Sequence, residues 1–187
     1  MRMKVYFAGP DVFRQDYGAV AGEIRALCAA RGIIPLLPGA GGLTDPKAIC
    51  EENLNLILGS DAVIANMDPF RGPIEPDSGT VFEAGFAHAA GKPLIIRLSD
   101  RRPYRDRLAG ALHVREDGSL AAADGALVED FGLPLNLMLA CSADLIVSTL
   151  EEATDAASRL ASGRPPESAG SKGADRRPSL SRKSLGR

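Results

Sequence analysis

Short, continuous apolar runs alternate along this chain with longer stretches of helical spacing, and this alternation constrains the fold more than any other feature. Strands are predicted at 3–8, 33–37, 61–66 and 93–98, and helices between them at 17–31, 45–60 and 77–91. A strand without polar alternation must be covered on both faces, which is typical of a parallel sheet between helices. With right-handed crossovers, the pattern predicts a single-domain α/β protein with a doubly wound, Rossmann/flavodoxin-like parallel sheet.

Residues that favour helix ends support these boundaries. Gly32 is placed to cap the first helix at its carboxyl end. The second helix starts at Asp45-Pro46, where proline takes the first helical position. Its predicted buried face consists of Ile49, Leu54, Ile57 and Leu58.

The second half of the chain gives a weaker pattern. A last strand is predicted at 145–147, and Thr149 with Glu152 three residues later forms a capping-box pattern for a last helix. The segment 99–130 is predicted to be solvated or lid-like because it carries Arg101, Arg102, Arg105 and Arg107.

The distribution of charge separates a body from a tail. The chain has 187 residues and is 45% hydrophobic, which suffices for one domain with a core, predicted at residues 1–161. From Ser162 onward there are seven Lys/Arg, two Asp/Glu and almost no large apolar side chains, so 162–187 is predicted to be a disordered basic tail. Because the whole chain carries -2, the body carries -7 and offers no basic surface to nucleic acid.

The sequence carries no pattern typical of a cofactor or metal site. The three cysteines are far apart, no GxGxxG motif follows the first strand, and there is no P-loop. No apolar run is long enough to span a membrane, and nothing resembles a signal peptide. We therefore expect a cytoplasmic protein without metal or cofactor that binds neither nucleic acid nor membranes.

Two loops are expected to form the ligand site. Ligands of doubly wound sheets bind beyond the carboxyl ends of the strands, where the loops 9–16 and 67–76 belong. Gly9, Asp68 and Arg71 are therefore substrate-binding candidates. Arg71 could instead stabilise a solvated loop.

Carboxylates are concentrated in the stretch 66–91. Asp77 and Glu83 flank the start of a helix at the expected ligand edge, and two carboxylates near one pocket can divide attack and proton transfer between them. The helix N-terminus is expected to favour the ionised form of a carboxylate. The spacing alone, however, favours another interpretation, in which Thr80 and Glu83 form a capping box and Asp77 or Ser78 is an ordinary N-cap.

Five pieces of the sequence carry a family resemblance. They are 5–13 (VYFAGPDVF), 60–66 (SDAVIAN), 76–85 (PDSGTVFEAG), 91–93 (GKP) and 134–138 (PLNLM). Together they resemble the nucleoside 2-deoxyribosyltransferase family over most of residues 3–160. The piece that contains Glu83 is the most specific, and the tail matches nothing.

The resemblance implies catalytic roles. Glu83 is expected to attack the anomeric carbon and to form a deoxyribosyl-enzyme, while Tyr6 orients Glu83. Asp77 is expected to contact the nucleobase and assist proton transfer, and Phe13 to stack on the base. Substrate-binding candidates in the same turn as Glu83 are Ser78 and Gly79. Without the resemblance, Tyr6 and Phe13 could each be plain core residues.

The resemblance also implies a homo-oligomer. Asn136 and Met138 are expected to reach the sugar side of a neighbouring subunit's site, although Asn136 could simply cap a loop. The chain departs from the family at Asn53, where some members carry an aspartate that holds the base. An amide can hydrogen-bond a base but cannot donate an acidic proton. Proton transfer would then depend on Asp77, Asp68 or water.

The predicted function is transfer of a 2-deoxyribosyl group between nucleobases by double displacement, with a deoxynucleoside and a free nucleobase as partners. Two alternatives remain: N-glycosidic hydrolysis of a deoxynucleoside or its 5'-monophosphate, and non-catalytic nucleoside binding. A phosphate site would favour a glycine-rich loop after the first strand. The loop 9–16 instead carries two aspartates, which favours an uncharged nucleoside.

Overall fold

A five-stranded parallel sheet forms the centre of the structure, a computed structural model that describes residues 2–39, 41–108 and 112–166. Its strands are β1 (Lys4–Ala8), β2 (Ile34–Leu36), β3 (Ala62–Asn66), β4 (Leu94–Arg97) and, after the hairpin strands β5 (Leu112–Val114) and β6 (Leu120–Ala122), β7 (Leu145–Val147). The order β2-β1-β3-β4-β7 reverses direction between β1 and β3. This reversal is the switch point of a doubly wound sheet, so the predicted fold class is confirmed.

Helices cover both faces of the sheet. They are α1 (Tyr17–Ala30), α2 (Pro46–Leu58), α3 (Ser78–Ala89), α4 (Tyr104–Arg107), α5 (Leu137–Ser142) and α6 (Leu150–Ala161), and a short 3-10 helix covers Pro10–Phe13. The predicted end signals are confirmed. Asp45 caps α2, the capping box of Thr149 and Glu152 starts α6, and Gly32 adopts a φ of 68° after α1. This positive φ favours glycine.

The alternation of side chains in β1 divides the core in two. Val5 and Phe7 pack with α1 and α6 on one face of the sheet. Tyr6 and Ala8 pack with α2, α3 and α5 on the other face. Because successive side chains of a strand point to opposite faces, only one of Tyr6 and Phe7 can face α3. The structure places Tyr6 there.

The segment 99–130, predicted to be solvated or lid-like, is largely exposed in its described residues but also has regular structure. It contains α4 and the antiparallel β5–β6 hairpin, which turns at Gly118 with a φ of 84°. Two of its arginines hold it to the rest of the domain: Arg101 donates to the Ile146 carbonyl and Arg107 to the Pro134 carbonyl. Strands of three residues are too short to produce a clear apolar period.

Two further predictions concern the burial of Leu58 and the tail after residue 161. Leu58, expected in the core, is 52% exposed, because α2 ends there and Ile57 takes the buried position. The predicted disordered tail lies outside the described residues from 167 onward, while α6 ends at Ala161. Among the described helices, none has the length and apolar character needed to cross a membrane.

Candidate active site

The loops after β1 and β3 meet at the carboxyl edge of the sheet, as predicted. The Asn66 Nδ2 donates to Asp11 Oδ2 at 2.9 Å, which joins the two loops. Gly9 makes this approach possible, because a Cβ at this position would lie 3.0 Å from the Asn66 Cβ. Gly9, Val12 and Phe13 of the first loop line the cavity that Glu83 faces, whereas Asp68, Pro69 and Phe70 of the second loop line a different cavity.

Glu83 is held by two neutral donors from different elements. The hydroxyl of Tyr6, which is 0% exposed on β1, donates to Glu83 Oε1 at 2.8 Å. From α2, the Asn53 Nδ2 donates to the same oxygen at 3.2 Å. Glu83 Oε2 accepts no hydrogen bond from the described residues. One carboxylate oxygen is thus fixed while the other is available for chemistry.

The capping-box interpretation of Thr80 and Glu83 is wrong. Asp77 is the N-cap of α3, since its Oδ2 accepts hydrogen bonds from the Thr80 backbone N at 2.9 Å and from the Thr80 Oγ1 at 3.0 Å. Glu83 lies in the second turn of the helix, and its side chain binds Tyr6 and Asn53 rather than the helix terminus. The alternative interpretation of Asp77 as an N-cap is confirmed.

The pKa of the Glu83 carboxyl is raised above its ordinary range, chiefly by burial. The hydrogen bond from Tyr6 lowers the pKa, the nearby charge of Asp77 raises it, and the bond from Asn53 lowers it. Desolvation by burial therefore outweighs the hydrogen bonds that favour the ionised form of Glu83. Burial, and then the charge of Glu83, raise the pKa of Tyr6, so its hydroxyl stays protonated and donating.

Glu83 faces a cavity of about 360 Å³, within the size range of small-molecule sites. Its apolar wall is formed by Val12, Phe13, Pro38, Leu43 and Ile49. Its polar wall is formed by Glu52, Asn53, Asp77, Thr80 and Glu83, with Gly9, Gly39 and Gly79 between the two walls. An apolar surface facing carboxylates suits a flat, partly polar ligand.

An aromatic pair stands at the mouth of this cavity. Phe13 is 60% exposed and stacks on Phe70, with ring centroids 5.5 Å apart and planes at 23°. The Arg71 guanidinium lies 5.1 Å from the first ring and 4.5 Å from the second. Arg71 has a φ of 54°, a left-handed conformation that is uncommon outside glycine. Arg71 therefore stabilises the rim, and it does not line the cavity.

Asp68 lies on the opposite face of the sheet from Glu83. Asp68 lines a separate cavity of about 520 Å³, which Phe7 also lines. Its carboxylate pairs with Arg97 at 3.1 Å and accepts hydrogen bonds from the Ser99 backbone N and Oγ at 2.7 and 3.0 Å. The structure therefore does not bring Asp68 to Glu83.

Three other candidates share a groove on the far side of α3. Ser78, Asn136 and Met138 line this groove, whose volume is about 600 Å³. Asn136 caps α5 by accepting from the Met138 backbone N at 3.0 Å, and its amide donates to Glu129. The capping interpretation of Asn136 is confirmed. Its contribution to a neighbouring site stays a prediction.

Sequence reasoning missed Phe70 and Glu52. In a loop rich in proline and glycine, one aromatic residue gives no signal of its own position. Glu52 stands beside Glu51 on a helix and looks like a solvated charge, although its spacing from Ile49 places it on the same helix face. Within the described residues, no group of three His, Cys, Asp or Glu side chains is arranged to hold a metal.

The fold and the cavity define a class of protein: a doubly wound α/β enzyme domain with carboxylates facing a ligand cavity at the carboxyl edge of its sheet. Residues 5–138 match the sequence model of the family described as nucleoside 2-deoxyribosyltransferase. The chain belongs to this family. Its activity is therefore of the nucleoside 2-deoxyribosyltransferase type or that of a related N-glycosidase, with nucleosides and nucleobases as substrates.

Several individual proteins are similar to this chain. A 2-deoxyribosyltransferase from Leishmania mexicana is 36% identical, with a TM-score of 0.72 over 84% of this chain and 97% of that chain. A 2-deoxyribosyltransferase from Bacillus psychrosaccharolyticus is 16% identical, with a TM-score of 0.51 over 78% of this chain and 86% of the other, and shares the fold. The uncharacterized protein C191.05c of Schizosaccharomyces pombe is 30% identical over 72% of this chain and 74% of its own length.

Proposed function

We propose that this protein transfers a 2-deoxyribosyl group between nucleobases by double displacement through a covalent glycosyl-enzyme on Glu83. The observation that carries the proposal is the environment of this carboxylate. Tyr6 and Asn53 hold Oε1, while Oε2 is free of hydrogen bonds from the described residues beside a cavity of ligand size. An oriented carboxylate on one side of a sugar is what double displacement requires.

The reaction proceeds in two half-steps. Glu83 Oε2 attacks C1' of the nucleoside, the C1'–N bond breaks, and the electron pair of that bond goes to the base, which also takes up a proton. The incoming base then attacks C1', loses its proton, and releases Glu83. Tyr6 keeps its own proton throughout and holds the carboxylate in place.

The residues that line the cavity recognise the base. Phe13 supplies an aromatic face, and Asp77 lies beside Glu83 with one oxygen, Oδ2, committed to capping α3. Its other oxygen, Oδ1, is left to contact the base. Gly79 carries no side chain at the start of the helix and leaves room for the ligand there.

The sugar side is completed by a second subunit. Asn136 and Met138 lie across α3 from Glu83 in their own subunit, and Met138 is exposed. A homo-oligomer that places this face against a neighbour's cavity would bring an amide to the sugar hydroxyls. The proposal therefore includes Asn136 as a residue that acts in a neighbouring site.

An uncharged nucleoside is favoured over a 5'-monophosphate. The described residues that line the cavity include Glu52, Asp77 and Glu83, and none of them is lysine or arginine. Three carboxylates without a cation would repel a phosphate group. Hydrolysis remains the competing outcome, because water can replace the second base at the glycosyl-enzyme.

The test is an exchange assay with 2'-deoxyinosine and free adenine, followed by chromatography. We expect deoxyadenosine from the unmodified protein and from Glu51→Ala, a control at an exposed glutamate of the neighbouring helix, but none from Glu83→Ala. Free hypoxanthine and deoxyribose without deoxyadenosine would show a hydrolase. Turnover that persists in Glu83→Ala would refute the covalent role, and no product from any protein would leave nucleoside binding alone.

A further inference from the structure

A third carboxylate lines the cavity, and the roles described so far leave it unused. Glu52 is half-buried on α2, one residue before Asn53, and faces the same cavity as Glu83. Its side chain forms no hydrogen bond or ion pair with the described part of the chain. Its neighbour Glu51 points outward and lies 3.9 Å from Lys47.

The loop before α2 leaves space for this carboxylate. A Cβ on Gly41 would lie 2.6 Å from Glu52 Oε1, closer than real Cβ atoms approach. The carboxylate therefore packs against the bare backbone of Gly41. Leu43 and Ile49 line the same cavity as the Glu52 carboxylate.

A departing nucleobase needs a proton, and the other candidates are poorly placed to provide it. Asn53 is an amide. Asp77 already accepts two hydrogen bonds on Oδ2 as the cap of α3, so this oxygen is committed to the helix. Asp68 lies on the other face of the sheet, paired with Arg97. The Tyr6 proton is engaged with Glu83.

We propose that Glu52 is the general acid that protonates the departing nucleobase and the general base that deprotonates the incoming one, an inference that rests on the proposed transfer reaction. As the C1'–N9 bond of a purine nucleoside breaks, the Glu52 carboxyl gives its proton to N7 and becomes a carboxylate. In the second half-step Glu52 takes the N7–H proton of the incoming purine while N9 of that purine bonds to C1'.

The arrangement of the three carboxylates supports this role. Glu52, Asp77 and Glu83 line one cavity, and of these three only Glu52 forms no hydrogen bond with the described residues. Its carboxyl group is therefore available to a base bound in the cavity. Glu52 would thereby supply the acidic proton that the side-chain amide of Asn53 cannot donate.

The test compares two leaving groups in the first half-step alone. With enzyme in excess and no acceptor base, we would measure single-turnover release of guanine from 2'-deoxyguanosine and of 7-methylguanine from 7-methyl-2'-deoxyguanosine. The methylated base departs without protonation because N7 already carries a substituent and a positive charge. Glu52→Gln should slow guanine release by about 100-fold or more and leave 7-methylguanine release unchanged.

Three controls make the outcomes distinct. Glu51→Gln should match the unmodified protein on both substrates, Glu52→Asp should recover part of the lost rate, and thermal unfolding should show that Glu52→Gln is folded. Equal loss on both substrates, or loss on neither, would overturn the role of Glu52. If Glu83→Ala releases both bases as fast as the unmodified protein does, the proposed function fails, and this inference fails with it.

Discussion

Replacing Asp77 by alanine is expected to destabilise the protein more than the loss of an ordinary helix cap. Asp77 Oδ2 accepts from the Thr80 backbone N and also from the Thr80 hydroxyl, and Thr80 is 1% exposed. Loss of the cap costs about 1 kcal/mol. Loss of the only described side-chain acceptor of a buried hydroxyl costs about 1–3 kcal/mol more. The sum, about 2–4 kcal/mol, corresponds to a fall in Tm on the order of 10 °C.

A matched pair of variants separates capping from catalysis. Asp45 caps α2 through a single bond, from the Ala48 backbone N at 2.8 Å, and is exposed, so Asp45→Ala should cost only about 1 kcal/mol. Asp77→Asn keeps an oxygen that can accept both bonds from Thr80, so its Tm should stay near that of the unmodified protein. If Asp77 contacts the base, transfer by Asp77→Asn should still fall at least tenfold, about 1.4 kcal/mol of transition-state stabilisation.

Urea unfolding and the exchange assay with 2'-deoxyinosine and adenine are the two measurements. If Asp77→Ala and Asp45→Ala lower the unfolding free energy equally, the hydrogen bond from the buried Thr80 hydroxyl contributes no extra stability, and the reasoning is refuted. Full transfer activity in Asp77→Asn would show that Asp77 acts only as the cap of α3 and has no role in the transfer reaction.

The remaining predictions concern protonation of Glu83. Tyr6→Phe removes a hydrogen bond that lowers the pKa of Glu83, so the acid limb of the kcat/KM–pH profile should move to higher pH; an unmoved limb would contradict the role of Tyr6. Because burial raises the pKa of Glu83 above its ordinary 4.5, ionising it opposes folding, and stability falls as pH rises through the folded pKa. Glu83→Gln should therefore raise the unfolding free energy at about pH 8 and change it little at about pH 4, which urea unfolding at both pH values would check.

The architecture could be predicted because burial on both faces leaves a continuous apolar run. β1, β3 and β4 each show such a run, and the end signals at Asp45 and Thr149 are local interactions that need no tertiary context. The β5–β6 hairpin could not be predicted, because its strands have three residues each and only Ala121 among them is fully buried.

The contact between Tyr6 and Glu83 could be predicted from the sequence better than the other residues that line the cavity. Strand alternation required Tyr6 and Phe7 to face opposite sides, but only packing against α3 selects Tyr6. A capping-box glutamate and a glutamate held inside the domain share the same spacing from Thr80, so the choice between them needed the three-dimensional contacts of Glu83. The position of Glu52 depends on how α2 is rotated about its axis, and the predicted buried face of this helix was imprecise because it included Leu58, which is exposed.

The lining residues of the cavity come from two kinds of element, and this difference affects how an enzyme of this kind can change its substrate. Tyr6, Asn53 and Glu83 belong to a strand and two helices packed in the core, whereas Phe13 and Leu43 belong to connecting segments. Amino-acid changes in those segments can reshape the cavity while the hydrogen bonds of Glu83 to Tyr6 and Asn53 persist. Selection for new nucleoside analogues, in nature or in the laboratory, would accordingly begin with residues 12, 13 and 43 and leave the strand and helix positions untouched.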